Sequence, residues 1–171
     1  MRICIYGAGA MGTSLGVLLD EMSLEFISHD AEHVAAMNEN GALIEGAVTR
    51  CVKVRAKLPS QMEGQYDIII LAVKQRENHA AASFLRPYLR ERGAIVTVQN
   101  GLPEQALAQA FGKDRVYGCT LSWSAEKTAP GIVRVTSDTG FHLALGAYGA
   151  GEMLDDLAAL LAHAGTVSYT H

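Results

Sequence analysis

The chain has 171 residues, of which 49% are apolar and 19% are charged, and its formal net charge is −4 at pH 7. This length suffices for one folded domain with a buried core, and the acidic balance argues against a nucleic-acid partner. No apolar run approaches the ~20 residues that span a bilayer, and glycines near the N-terminus interrupt any signal-peptide core. We therefore expect a cytoplasmic protein in which Cys4, Cys51 and Cys119 are buried, reduced thiols.

A glycine-rich motif follows the first predicted strand. Ile3–Tyr6 is short and apolar, and it runs into Gly7-Ala-Gly-Ala-Met-Gly12, after which residues 13–21 are helical in composition. In a Gly-x-Gly-x-x-Gly loop the first glycine permits a tight turn, the second lets the backbone approach a pyrophosphate, and the third allows close helix–strand packing. The helix N-terminus adds free N–H groups and a partial positive charge. The candidate cofactor-binding residues here are Gly7, Ala8, Gly9, Ala10, Met11 and Gly12.

Strands and helices alternate along the first two-thirds of the chain. The pattern predicts strands at residues 24–28, 67–73, 94–98 and 116–120, a hairpin from residues 42–45 and 48–54, and helices at residues 31–38, 79–91 and 104–111, the second with a kink or break at Pro87. Residues 132–136 and 141–145 predict an antiparallel hairpin, followed by a helix at 153–162 and a strand at 167–169. We expect one α/β domain, a Rossmann-type doubly wound, mainly parallel sheet with a small antiparallel addition near the C-terminus.

The end of the second predicted strand bears on the choice of nicotinamide cofactor. Asp30 lies eighteen residues after Gly12, close to the position where an acid binds the ribose 2′-hydroxyl of NAD, whereas an arginine there accommodates the 2′-phosphate of NADP. His29 is a candidate phosphate contact beside it. Alternatively, Asp30 simply caps the following helix.

Two polar residues follow later predicted strands, at the edge of the sheet where ligands bind. Lys74 is placed to meet a cofactor phosphate or ribose; alternatively it is a solvated lysine that begins a helix. Asn100 has an amide able to orient a carboxamide, a ribose or a substrate hydroxyl; alternatively Asn100-Gly101 is a plain turn. The spacing of the histidines predicts no metal site.

Five motifs in order and spacing resemble one family. They are Gly7-Ala-Gly-Ala-Met-Gly12, Asp67-Ile-Ile-Ile-Leu-Ala-Val-Lys74, Val98-Gln-Asn-Gly-Leu102, Gly118-Cys-Thr120 and Pro130-Gly-Ile-Val133. Over essentially the whole chain they resemble the N-terminal half of the ketopantoate reductases (2-dehydropantoate 2-reductases). The resemblance implies an oxidoreductase of pantothenate biosynthesis that reduces ketopantoate to pantoate with NADPH. It also implies that the glycine loop holds the pyrophosphate, that Lys74 contacts the cofactor, that Asn100 lies near the nicotinamide and substrate, and that Ser124 lines the cofactor site.

The chain departs from the family pattern in two places. Ser28-His29-Asp30, behind a shortened loop at Met22-Ser23, stands where NADPH-using members commonly carry an arginine, so NAD is the alternative cofactor. The family's helical second domain, which supplies a proton-donating lysine and a substrate-binding acid, does not fall within residues 1–171. Lys127 is a candidate to replace that lysine only because of its charge, and we expect that it does not act as the proton donor.

These departures lead to three hypotheses. The first is the cofactor-binding half of a ketopantoate reductase, inactive by itself and able to form a homodimer through surface that the second domain would cover. The second is a stand-alone dinucleotide-binding module without catalysis. The third is part of a reductase for another 2-keto acid.

Overall fold

The structure is a computed structural model and describes residues 1–20 and 24–170. Its strands are β1 (Ile3–Tyr6), β2 (Leu24–Ile27), β3 (Ala42–Gly46), β4 (Arg50–Val52), β5 (Arg55–Lys57), β6 (Tyr66–Leu71), β7 (Leu89–Thr97), β8 (Val116–Leu121), β9 (Ser124–Ala129), β10 (Ile132–Thr136), β11 (His142–Ala147) and β12 (Thr166–Thr170). Its α-helices are α1 (Ala10–Leu19), α2 (Ala31–Asn40), α3 (Asn78–Leu85), α4 (Glu104–Phe111) and α5 (Leu154–Leu161). The predicted helix end at Glu21 and the loop at Met22-Ser23 lie outside the described residues.

The larger sheet has the order β12-β11-β8-β7-β6-β1-β2-β5. Strands β5, β2, β1, β6, β7 and β8 are parallel to their neighbours, whereas β11 runs antiparallel to β8. The chain builds outward from β1 in one direction through β2 and β5, then in the other through β6 and β7. The strand order therefore switches between β1 and β6, where a doubly wound sheet opens a crevice for ligands. The predicted Rossmann-type, mainly parallel sheet with an antiparallel addition is confirmed.

Both faces of this sheet are covered, which explains its continuous apolar strands. Because successive side chains point to opposite faces, Ile3 and Ile5 join the core with α1, α2 and α5, whereas Cys4 and Tyr6 join the core with α3 and α4. Helix α1 also packs against a second, smaller sheet of order β4-β3-β10-β9. That sheet lies beside the helix that follows the glycine loop.

The predicted hairpin of residues 132–136 and 141–145 is wrong. Strand β10 pairs antiparallel with β9 and parallel with β3 in the smaller sheet, whereas β11 pairs with β8 and β12 in the larger one. The turn-rich residues between them connect two sheets rather than two arms of a hairpin. Strand β9 was not predicted, because its sequence, Ser-Ala-Glu-Lys-Thr-Ala, lacks an alternating apolar pattern.

Three further predictions need correction. The helix predicted to residue 91 ends at Leu85, and a one-turn 3-10 helix around Pro87 leads into β7, which pairs with β6 at Leu89 and again over residues 94–97. The predicted second arm of the first hairpin is shorter, and the chain continues into β5 beside β2. Cys51 is exposed, whereas the other two cysteines are buried; all three are free.

Candidate functional site

The glycine loop is fixed at the switch point by neighbouring strands. The N–H groups of Gly7 and Ala8 both donate to the carbonyl oxygen of Ile27, at 3.0 and 2.8 Å. Gly7 has a φ of +95°, and a Cβ there would lie 2.7 Å from the backbone nitrogen of Val73, just beyond β6. Only glycine suits this backbone conformation and this close approach. The loop is thus held against the ends of β2 and β6.

The other two glycines of the motif have different surroundings. A Cβ on Gly12 would lie 2.6 Å from the carbonyl oxygen of Gly7 and 2.9 Å from a methyl group of Ile5, so this glycine permits close packing of α1 on β1. A Cβ on Gly9 would meet nothing within 4 Å, and Gly9 is exposed. The open side of the loop is therefore at Gly9. Thr13 is the first residue of α1 to bond back, to the carbonyl of Gly9 at 2.9 Å, which leaves the first-turn N–H groups, including those of Ala10 and Met11, without helical acceptors.

The buried His33 stabilises the glycine loop through a chain of hydrogen bonds. Gly131 N–H donates to Nδ1 of His33 at 2.8 Å, so in the neutral ring Nε2 carries the proton and donates to Thr13 Oγ1 at 3.1 Å. The Thr13 hydroxyl in turn donates to the carbonyl of Ala8 at 3.2 Å. Burial, with the nearby Lys127 charge, lowers the pKa of His33 and favours this neutral form. No local sequence pattern marks His33 as part of this site.

Asp30 caps helix α2, as the alternative interpretation predicted. Its Oδ1 accepts from His33 N–H at 3.0 Å, and its Oδ2 pairs with the ammonium of Lys127. The hydrogen bond from Lys127, followed by that from His33 N–H, holds the pKa of Asp30 below its usual value. Both carboxylate oxygens therefore already have a partner.

His29 lies at the edge of a cavity next to the loop. The cavity has a volume of about 550 Å³ and is lined by Tyr6, His29, Val73, Glu77, Ala80, Ala81 and Phe84. The Tyr6 hydroxyl lies 3.3 Å from Nε2 of the exposed His29, and the Tyr6 ring lies 5.9 Å from the Phe84 ring. The rings of Tyr6 and Phe84 thus form one side of the cavity, at the carboxyl end of β1.

Lys74 and Asn100 follow the neighbouring strands β6 and β7. Both are exposed, and the Lys74 ammonium forms no ion pair with any residue in the described ranges. Gln99, which the sequence analysis did not single out, links the two strand ends because its Nε2 donates to the Val73 carbonyl at 2.5 Å and to Asn78 Oδ1 at 2.6 Å. The Gln75 amide also donates to the carbonyl of Asn100. The structure thus places these two predicted residues at one edge with the glycine loop.

Ser124 begins β9 and is exposed, beside the first turns of α1. The adjacent Trp123 is buried, and its indole N–H donates to Ser14 Oγ at 2.9 Å. The Ser14 hydroxyl donates to the carbonyl of Met11 at 2.8 Å. The start of β9 is therefore tied to the residues of the glycine motif.

The sequence profile described as "Ketopantoate reductase PanE/ApbA" matches residues 3–166. The chain belongs to the ketopantoate reductase family. A 2-dehydropantoate 2-reductase from Mesorhizobium japonicum is 29% identical over 168 residues, which cover 84% of this chain and 51% of that protein. One from Pyrococcus abyssi is 33% identical over 140 residues, which cover 80% and 45%. The chain thus spans about half the length of these ketopantoate reductases.

Solved structures agree with this family assignment. The 2-dehydropantoate 2-reductase from Geobacter metallireducens superposes with a TM-score of 0.86 at 28% identity, over 99% of this chain and 58% of that one. A D-mandelate dehydrogenase, solved with NADH and anilino(oxo)acetate, superposes with a TM-score of 0.86 at 25% identity, over 99% and 57%. The resemblance to ketopantoate reductases inferred from the motifs is confirmed.

A second cleft begins at Gln99 and Gly101 and is also lined by Glu104 and Gln105 of α4. It has a volume of about 500 Å³, and small residues of β8 and β11, such as Gly118, Ala144 and Gly146, form its floor. Residues 1–20 and 24–170 contain no group of three side chains arranged to hold a metal ion. Within the same ranges, no helix is long and apolar enough to cross a membrane.

Proposed function

We propose that residues 1–171 form the dinucleotide-binding unit of an oxidoreductase that reduces 2-dehydropantoate (ketopantoate) to pantoate with NADPH. One observation carries this proposal: the open Gly9 side of the glycine loop, the exposed Lys74 and the exposed Asn100 follow β1, β6 and β7, whose carboxyl ends share one edge of the sheet around the switch point. Ligands of doubly wound sheets bind at this place. Membership of the ketopantoate reductase family supports the choice of reaction.

The residues present fit a dinucleotide in size and chemistry. The N–H groups of the loop and of the first turn of α1, spanning Gly7 to Gly12, would hold the pyrophosphate. Lys74 would hold a phosphate or ribose oxygen, and the cavity beside His29 has room for the adenosine end. Asn100 and Ser124 would position the nicotinamide end and the substrate carbonyl. The bound cofactor supplies the hydride that reduces the ketone.

Ketone reduction also needs a proton donor for the developing alkoxide. Two charged groups near the end of β2, the Asp30 carboxylate and the Lys127 ammonium, are paired with each other. We therefore propose that the proton donor and the substrate-binding acid belong to the half of the family fold that residues 1–171 do not match. This chain, tested alone with ketopantoate, should give negligible oxidation of NADPH; appreciable turnover would refute this division of labour.

A second candidate is a reductase of another 2-keto acid. The superposition on D-mandelate dehydrogenase favours it, because that protein shares the fold of this chain at a TM-score of 0.86. In a protein that unites this chain with a substrate-binding half, ketopantoate and a phenyl-substituted 2-keto acid should be compared by kcat/KM. A preference for the phenyl compound would establish the second candidate over the first.

The proposed cofactor binding has a direct test. The chain contains one tryptophan, Trp123, which is tied to Ser14 on α1 and should report on ligands at the glycine loop by a change of fluorescence. NADPH and NADH are titrated separately, with calorimetry as the independent measurement. We expect saturable binding with one site per chain. Binding of neither dinucleotide would refute the proposed function.

A further inference from the structure

Asp30 occupies the sequence position of an acid that selects NAD, yet its carboxylate is already engaged. Such an acid works by accepting a hydrogen bond from the ribose 2′-hydroxyl. Here Oδ1 receives the N–H of His33 and Oδ2 receives the Lys127 ammonium. A ribose hydroxyl would have to compete with a backbone cap and a charged group.

The cation that pairs with Asp30 comes from the smaller sheet. Lys127 lies on β9, in register with Val133 of β10, and its side chain is 37% exposed. An ammonium group has three donors, and the contact with Asp30 uses one of them. Strand β9 packs against α1. The Lys127 ammonium therefore reaches the segment that follows β2 from a neighbouring strand, and Lys127 is not itself part of that segment. The position is invisible in the sequence, where Lys127 and Asp30 are 97 residues apart.

We propose that Lys127 is the residue that selects NADPH over NADH, by neutralising Asp30 and donating to the 2′-phosphate of the adenosine ribose. The inference rests on the proposed dinucleotide-binding function and deepens it. A phosphate dianion beside an unpaired carboxylate is repelled, whereas beside a neutralised carboxylate and a free N–H donor it is attracted. The family pattern's arginine after β2 is thus replaced here by a lysine from another sheet.

The experiment uses adenosine 2′,5′-bisphosphate and AMP, which differ only in the 2′-phosphate, together with NADPH and NADH. Their dissociation constants are measured by calorimetry for the wild-type chain and for K127M, K127R and D30N. K127M should raise the dissociation constants of the bisphosphate and of NADPH by about tenfold or more, the usual scale for one charge-assisted hydrogen bond. AMP and NADH should bind at least as tightly as before, because they present no phosphate there and K127M frees the Asp30 carboxylate to accept from their 2′-hydroxyl.

Two variants and one control separate charge from structure. K127R keeps a cation and should retain the preference for the bisphosphate. D30N keeps a good helix cap but frees Lys127, so it should strengthen bisphosphate binding relative to AMP. K113M removes the same charge at the opposite edge of the sheet, in the turn that precedes β8, and should leave the ratio unchanged.

The outcomes distinguish this inference from the function on which it rests. If the wild type binds none of the four ligands, the dinucleotide function fails and the role of Lys127 fails with it. If the wild type binds them and K127M leaves the ratio of bisphosphate to AMP affinity unchanged, the role of Lys127 is wrong while the function stands. An equal loss for both ligands in K127M also overturns the role, since it indicates a structural effect.

Discussion

Two glycine-to-alanine substitutions in the same motif should have opposite consequences. The added methyl group is the same in Gly9→Ala and Gly12→Ala, but the surroundings differ. At Gly12 it would lie 2.6 Å from the Gly7 carbonyl oxygen and 2.9 Å from Ile5, whereas at Gly9 it would meet no atom of the chain within 4 Å. One substitution therefore tests packing, and the other tests the space above the loop.

The structure sets the expected magnitudes. The Gly7 carbonyl cannot retreat easily, because the loop is bonded to β2 and abuts β6. Overpacking costs about 1–3 kcal/mol, and the contact with a fixed backbone carbonyl puts G12A in the upper part of that range, about 2–3 kcal/mol. The better helix propensity of alanine returns about 1 kcal/mol. We expect G12A to lose about 1–2 kcal/mol of unfolding free energy, which corresponds to roughly 2–8 °C in Tm for a chain of this size.

Gly9→Ala should leave the fold intact and weaken the binding of NADPH. Gly9 has a φ of −86°, outside the left-handed region, and an added Cβ meets no atom within 4 Å, so a poorer helix cap is the expected cost to stability. The methyl group, however, would stand where a pyrophosphate approaches the loop. Losing even one N–H bond to a charged phosphate costs about 1.5–3 kcal/mol, so the dissociation constant for NADPH should rise about tenfold or more.

Thermal unfolding and NADPH titration are measured on both variants and on the wild type. The reasoning is refuted if G9A binds NADPH as tightly as the wild type, or if G9A loses as much stability as G12A. A G12A protein with unchanged Tm would show that α1 shifts away from β1 without cost. The pair is its own control, because composition and charge are identical.

Three further predictions concern hydrogen-bonded polar side chains around the sheet. Burial alone would raise the pKa of Glu25, but hydrogen bonds from Tyr66 and Arg2 outweigh it and lower the pKa. The contribution of Glu25 to stability is therefore present above pH 4.5 and is lost as the pH falls further. E25Q should cost about 1–3 kcal/mol of unfolding free energy in urea at pH 7 and should reduce the loss of stability at acid pH. The lowered pKa of His33 means that stability is full above about pH 6.5 and declines below it; a Tm series from pH 7.5 to 5 should show this decline, and an equal slope in H33Q would contradict it. Q99L removes the hydrogen bonds that link the ends of β6 and β7. It should weaken dinucleotide binding even at temperatures where the variant is still fully folded. N100A changes an exposed side chain and should leave Tm unchanged.

Local sequence was enough for several elements. The bounds of α4 and β1 match their predictions, since a proline at the helix start and a β-branched apolar run are local signals. It failed for residues 89–91, which begin β7 although Arg90 and Glu91 are charged and helical in composition; Leu89 there pairs with Tyr66 of β6. It failed also for β9, whose pairing with β10 depends on a partner strand rather than on its own residues.

The sequence by itself determined the glycine loop, the parallel strands around it and the family, because these depend on spacing along the chain. It also predicted that Lys74 and Asn100 each follow a strand, whereas the sheet order shows that these strands, β6 and β7, are neighbours. Only the tertiary structure decided what the polar side chains around the loop do. Asp30 had two open interpretations until Lys127, from a different sheet, was found on its free oxygen. His33 gained its role through Thr13 and Gly131, twenty and ninety-eight residues away. Hydrogen bonds and ion pairs between distant segments depend on how sheets and helices pack, and no local pattern encodes that packing.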